Sequence, residues 1–304
     1  MLKPFMSCFH LQARKRDEII LQKVTSQLVE QRDQLKPADV VSAVYALCKF
    51  HFNADSGRSL GILTAHVRRH LESYSLTDIS QIVASLARVG VYNRPLLTAF
   101  IGQIHIESLG ELSNQSLSNL MTGLARFGVT SSPKNPIWTN FATEVVHRLS
   151  VHSEWTNSDL IACVVAYSSA SRTNYDEIVT NRLFSAVSRA IISESIDMPC
   201  VLKYIKACSR VQFRHVESLA VCAKVLRGTA EFPAQLETQQ LLQLYSNLDK
   251  LGIDMTDVEE ELRGRKIHIP ESSKFKTWFT KSTNTKQTKS PLSSDSLRKR
   301  KYSW

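Results

Sequence analysis

Long apolar runs are missing from this 304-residue sequence. No stretch approaches the roughly 18 consecutive apolar residues of a membrane-spanning helix, so no membrane partner is expected. Glycine and proline are scarce, at ten and nine residues, and most sit between periodic segments, where they punctuate rather than interrupt them. Six cysteines occur with no CxxC pair, which argues against a zinc ribbon or a redox motif. Cys48, Cys163 and Cys208 fall at apolar positions of the pattern described below and read as small core residues in a reducing compartment. There is no Gly-rich phosphate loop and no HExxH. No Ser/His/Asp or Cys/His set can be nominated from spacing, so neither catalysis nor a cofactor is expected. His66 and His70 are spaced i, i+4, which suits a metal. Arg68 and Arg69 lie between them and no nearby carboxylate completes a site, so no metal role is expected either.

Charge is unevenly spread. Residues 263–304 hold twelve Lys or Arg and two acids, whereas residues 1–262 hold 26 of each sign. The whole formal net charge of +10 therefore belongs to the C-terminal tail. The first sixteen residues carry Lys3, Arg14, Lys15 and Arg16 and no acid, the composition of a mitochondrial targeting segment. The expected location is the mitochondrial matrix.

What is present is a repeat. DISQIVASLARVGV from Asp78, SLSNLMTGLARFGV from Ser116 and QLLQLYSNLDKLGI from Gln240 are copies of one pattern, and weaker copies start at Asp39, Asp159 and Cys200. A period near 40 residues is the mark of an α-solenoid, whose repeats bury their apolar faces by stacking on their neighbours. With each start residue as offset zero, apolar side chains recur at offsets 1, 4, 5, 8 and 11, one stripe of an amphipathic helix. Asp39, Asp78, Ser116 and Asp159 at offset zero are expected as N-caps, and Gly90, Gly128 and Gly252 as left-handed C-caps. A second helix follows each copy. Asn93-Arg94-Pro95 introduces one over LLTAFIGQIHIESL, and Asn135-Pro136 places proline at the first helical position of the next. Asp17 to Gln31 reads as the second helix of an incomplete repeat. The expected fold is all-α: about six helix pairs over 17–262, preceded by a targeting segment over 1–16 and followed by a disordered basic tail over 263–304.

Offset 10 holds Lys49, Arg88, Arg126, Ser169, Arg210 and Lys250. It lies opposite the apolar stripe, near offsets 3 and 6, and Lys203 sits at offset 3 of the fifth copy. Stacked helices would turn these cations into a ladder that meets a nucleic-acid backbone. The same position is the last helical turn, where the macrodipole favours cations whatever the chain binds.

The motif L-A-R-x-G-[VI], read at Leu86–Val91 and Leu124–Val129 and in altered form at Leu248–Ile253, resembles organellar octotricopeptide and heptatricopeptide repeats. It is also similar to the helical region of FAST-kinase-like proteins. The resemblance covers residues 35–262. It implies an RNA-binding protein of mitochondria or plastids acting in RNA processing, stability, editing or ribosome assembly. No RAP-type segment, the nuclease-like module of many FAST-kinase-like proteins, is found here, so no nuclease activity is expected. The fourth copy, DLIACVVAYSSASR, lacks the cation at offset 10, which argues against a continuous base-by-base code.

The tail alternates cations with aromatics at Lys274, Phe275, Lys276, Trp278 and Phe279, a composition that stacks on unpaired bases while its charges meet phosphate. Arg298, Lys299, Arg300 and Lys301 form a further phosphate-contacting run. Together these features predict a non-catalytic RNA-binding subunit, with single-stranded or ribosomal RNA and other ribonucleoprotein subunits as partners. The alternative is a protein-binding α-solenoid scaffold within a large mitochondrial complex.

Overall fold

The structure, a computed structural model, describes residues 15–49, 54–130, 136–151, 154–170, 176–193, 196–229, 231–254 and 256–267. Every regular element among them is helical, and no strand occurs. The repeated segments become one row of helices: α2 (Pro37–Lys49), α4 (Leu76–Val89), α7 (Asn114–Arg126), α9 (Asn157–Ala170), α11 (Met198–Val211) and α13 (Thr238–Leu251). Each packs on the next, and the four contacts from α2 through α11 are the most extensive between helices among the described residues. A second row holds α1 (Lys15–Glu30), α3 (Ala54–Arg69), α5 (Arg94–Gln103), the single-turn α6 (Ile106–Leu109), α8 (Ile137–Ser150), α10 (Glu177–Ser193), α12 (Val216–Gly228) and α14 (Thr256–Gly264). Here α1 packs on α3, α3 on α5, α6 on α8, α8 on α10 and α10 on α12. The last step, α12 to α14, is bridged by Arg227 and Asp257 at 3.2 Å.

The core lies between the rows. Every residue at offsets 1, 4, 5 and 8 of the six copies is buried except Tyr245, which is half-buried. Leu63, Phe100, Phe141, Phe184 and Leu226 meet them from the second row, in one continuous apolar cluster. Within the first row, offset 7 carries Ala46, Ser85, Gly123, Ala166, Ala207 and Asn247, side chains small enough for adjacent helices to approach closely. Gly123 is the tightest point: a Cβ there would lie 2.6 Å from Val83 Cγ1 and 3.1 Å from the Val83 carbonyl carbon.

Helix ends recur as the core does. The carbonyl at offset 8 accepts the N–H at offset 13 in four copies: Val91 to Leu86, Val129 to Leu124, Phe213 to Cys208 and Ile253 to Leu248, all at 2.9–3.1 Å. This is the six-to-one bond of a Schellman turn, which needs a left-handed residue just before it. Gly90, Gly128 and Gly252 supply it, and Gln212, at φ 53°, takes the same conformation without being glycine.

Three details correct the expectations. Offset zero is not the N-cap but the third helical position. The caps are Ser75, Ser113 and Asp197, whose side chains accept the N–H of Asp78, Ser116 and Cys200, and the Thr156 hydroxyl accepts that of Asp159 at 3.1 Å. Asp78 returns the favour by accepting the Ser75 N–H at 3.0 Å, a capping box. Second, the helix expected over Leu96–Leu109 is broken. Ile104 turns to extended backbone at φ −86°, ψ 99°, which buries Ile104 and Leu109 and leaves α6 to restart after His105. Third, Pro136 occupies the N-cap position of α8 rather than its first turn, and Asn135 lies outside the described residues. At the far end α14 runs to Gly264. Beyond it Arg265 is held to the body, donating to Glu261 Oε1 at 2.7 Å and to the carbonyls of Leu236 and Ala234 at 2.8 and 2.7 Å.

Candidate nucleic-acid interface

A helix packed on one side by the second row and on its flanks by row neighbours turns offsets 3, 6 and 10 toward solvent. In the six first-row helices these eighteen positions are all exposed or half-exposed. They carry seven cations (Lys49, Arg88, Arg126, Lys203, Lys206, Arg210 and Lys250) and no acid. Residues 1–262 have equal numbers of each sign, so this face is selectively basic. Most acids of the same helices sit at the opposite end, where Asp78, Asp159 and Asp197 are engaged in N-terminal caps; the exception is Asp249 at offset 9 of α13, half-exposed beside Lys250.

Neighbouring copies touch across the face. Arg88 and Lys49 both lie over the ring of Tyr45, at 5.6 and 5.8 Å from its centroid, within cation–π range. Arg210 donates to the Ser169 hydroxyl at 2.5 Å, which joins two successive offset-10 residues. Lys206 donates to Gln243 at 3.2 Å, and the carbonyl of Lys250 accepts from Arg214 at 2.9 Å. Lys49, Arg88, Arg126, Lys203 and Lys250 are exposed, whereas Arg210 is half-buried. All five basic residues at offset 10 also fall in the last turn of their helices, where they complement the macrodipole. The two roles coexist.

Sequence reasoning missed Tyr45 and Lys206. Both occupy offset 6, and the signal was available: offset 10 projects between offsets 3 and 6 on the helical wheel. Lys274, Lys276, Trp278, Arg298, Lys299, Arg300 and Lys301 lie outside the described residues.

A second grouping was not expected. His66 and His70 do have a carboxylate beside them: Asp33, from a single 3₁₀ turn between α1 and α2, places Oδ1 3.4 Å from His66 Nδ1. The pairing arises because α1 and that turn pack on α3, which no spacing within α3 reveals.

The cysteines are packed inward. Burial pushes the thiols of Cys48 and Cys200 up to about 11 and those of Cys208 and Cys222 up to about 12, and it raises Cys163 as well. Among the described residues, no helix is long and apolar enough to cross a membrane. Compared with known protein families and with curated proteins, the chain gives no match.

Proposed function

We propose that the chain is an α-solenoid of six helix-pair repeats that binds single-stranded RNA along the exposed face of its first row. It acts as a non-catalytic subunit of a mitochondrial ribonucleoprotein assembly. The observation that carries this reading is the selective charge of that face: seven cations and no acid across eighteen solvent-facing positions. Random placement of a neutral body's charges would put both signs there, and a row serving helix ends alone would need only offset 10. Lys203 and Lys206 at offsets 3 and 6 of α11 lie outside that explanation. Tyr45, flanked by Lys49 and Arg88, adds an aromatic surface on which a base can stack beside the phosphate-binding charges.

Single-strand binding loses about 0.7 in the slope of log K against log salt for each phosphate contact removed. Replacing Arg88 and Arg126 together by Gln, which is also a good helix former, is therefore expected to weaken RNA binding and flatten that slope by about 1.4. The thermal midpoint should move only slightly, since each helix-end charge contributes about 0.3–1 kcal/mol. A titration on single-stranded RNA beside a thermal melt reads both. Unchanged affinity with a lowered midpoint assigns the row to helix ends and transfers the preference to a protein-binding scaffold.

A further inference from the structure

We propose that Asp33, His66 and His70 form a binding site for a divalent transition-metal ion, zinc by ligand chemistry, which clips the N-terminal α1 segment to α3. One donor atom from each lies within 4.8 Å of the other two, and the two imidazole rings are 4.6 Å apart, centroid to centroid. His66 is buried, yet its Nδ1 has no hydrogen-bond partner. The Asp33 oxygen facing it at 3.4 Å is beyond good hydrogen-bond length. That separation fits something else. Four ligands at about 2.0–2.2 Å around a tetrahedral zinc stand roughly 3.3–3.5 Å from one another. The His66–Asp33 pair is already at that spacing. His70 and Asp33 are exposed, so their side chains can rotate to close the remaining gap, while His66 is fixed by packing.

The donor set selects the ion. Two imidazoles and one carboxylate suit zinc and its first-row neighbours, whereas magnesium and calcium take all-oxygen shells. Three protein ligands leave the fourth position to water. Arg32, whose Nη2 lies 3.7 Å from the other Asp33 oxygen, also donates to the Val29 carbonyl at 3.1 Å and orients the carboxylate from behind. The buried cysteines offer no competing ligand, because burial holds their thiols protonated.

The test uses the full chain, freed of metal by a chelator and titrated with zinc by calorimetry. Cobalt absorption serves as a separate reporter of tetrahedral coordination. Wild type is expected to take up one ion with a tetrahedral cobalt spectrum and to melt at a higher temperature with zinc than without. Asp33→Asn and His70→Gln change exposed side chains and should keep the fold, as checked by circular dichroism. Each is expected to weaken uptake by about 100-fold or more, because the loss of an outer-shell partner alone costs about 10–100-fold. His66→Gln should behave alike if it folds. No zinc uptake by wild type, or uptake weakened less than about tenfold in both exposed variants, overturns the proposal.

Discussion

At the scale of single residues, the tightest position among the described glycines is Gly123. It lies inside α7, three residues before the helix's end, where glycine costs about 1 kcal/mol relative to alanine, so helix propensity alone favours Gly123→Ala. The neighbouring helix opposes it. The added methyl would overlap Val83 Cγ1 at 2.6 Å and press on backbone atoms of Val83 and Ala84 at 3.1 and 3.2 Å. Valine has little rotameric freedom in a helix, and the backbone has less. Overpacking of this kind costs about 1–3 kcal/mol, so Gly123→Ala is expected to lower stability by up to about 2 kcal/mol net of the propensity gain. Urea denaturation checks it, and a stabilised variant would show that the two helices separate easily. Nothing in the sequence marked Gly123 as different from the other glycines. Its significance comes from Val83, which a 40-residue period brings alongside. Asp33 was hidden for the same reason: its chemistry with His66 depends on α1 lying against α3, a contact between segments with no shared pattern.

At the scale of one element, the recurring helix is defined by its stripe and its two ends. Leu124 occupies offset 8, is fully buried, and its carbonyl also accepts the Schellman bond from Val129 at 3.1 Å. Leu124→Ala should cost about 2–5 kcal/mol, the range for a leucine removed from a packed core, read by the same denaturation series. A cost below about 1 kcal/mol would mean that the stripe is not the main source of cohesion. The stripe and the C-terminal turns were legible because both are local: a 3.6-residue period and a glycine in register specify them without outside help. The start of each helix was placed three residues late for an equally local reason. In a capping box the first and fourth residues draw on the same polar types, and Asp78 looks like a cap as readily as Ser75 does. The break at Ile104 was not legible. Apolar spacing over Leu96–Leu109 suits one uninterrupted helix, and only burial of Ile104 in extended backbone makes two pieces preferable.

At the scale of the whole molecule, the two rows divide the work. The inner flanks of both rows form the core, and the outer face of the first row is left free with a single sign of charge. The order of the first row, α2, α4, α7, α9, α11 and α13, follows the order of the copies in the chain, so the basic face has a direction. The Arg210–Ser169 and Arg88–Tyr45 contacts show the side chains of adjacent copies meeting along it. The basic row was legible as a list of cations, but its exclusion of acids emerged only once burial had identified which positions face solvent. The tail, with its own cations and aromatics, is the competing candidate for the proposed RNA contact. Ultraviolet crosslinking of the full chain to single-stranded RNA, followed by mass-spectrometric mapping of the crosslinked peptides, separates the two most directly. Crosslinks are expected at Tyr45 and in first-row peptides that carry Arg88, Arg126 and Lys203. Crosslinks confined to residues 268–304, or to helices of the second row, would contradict that expectation.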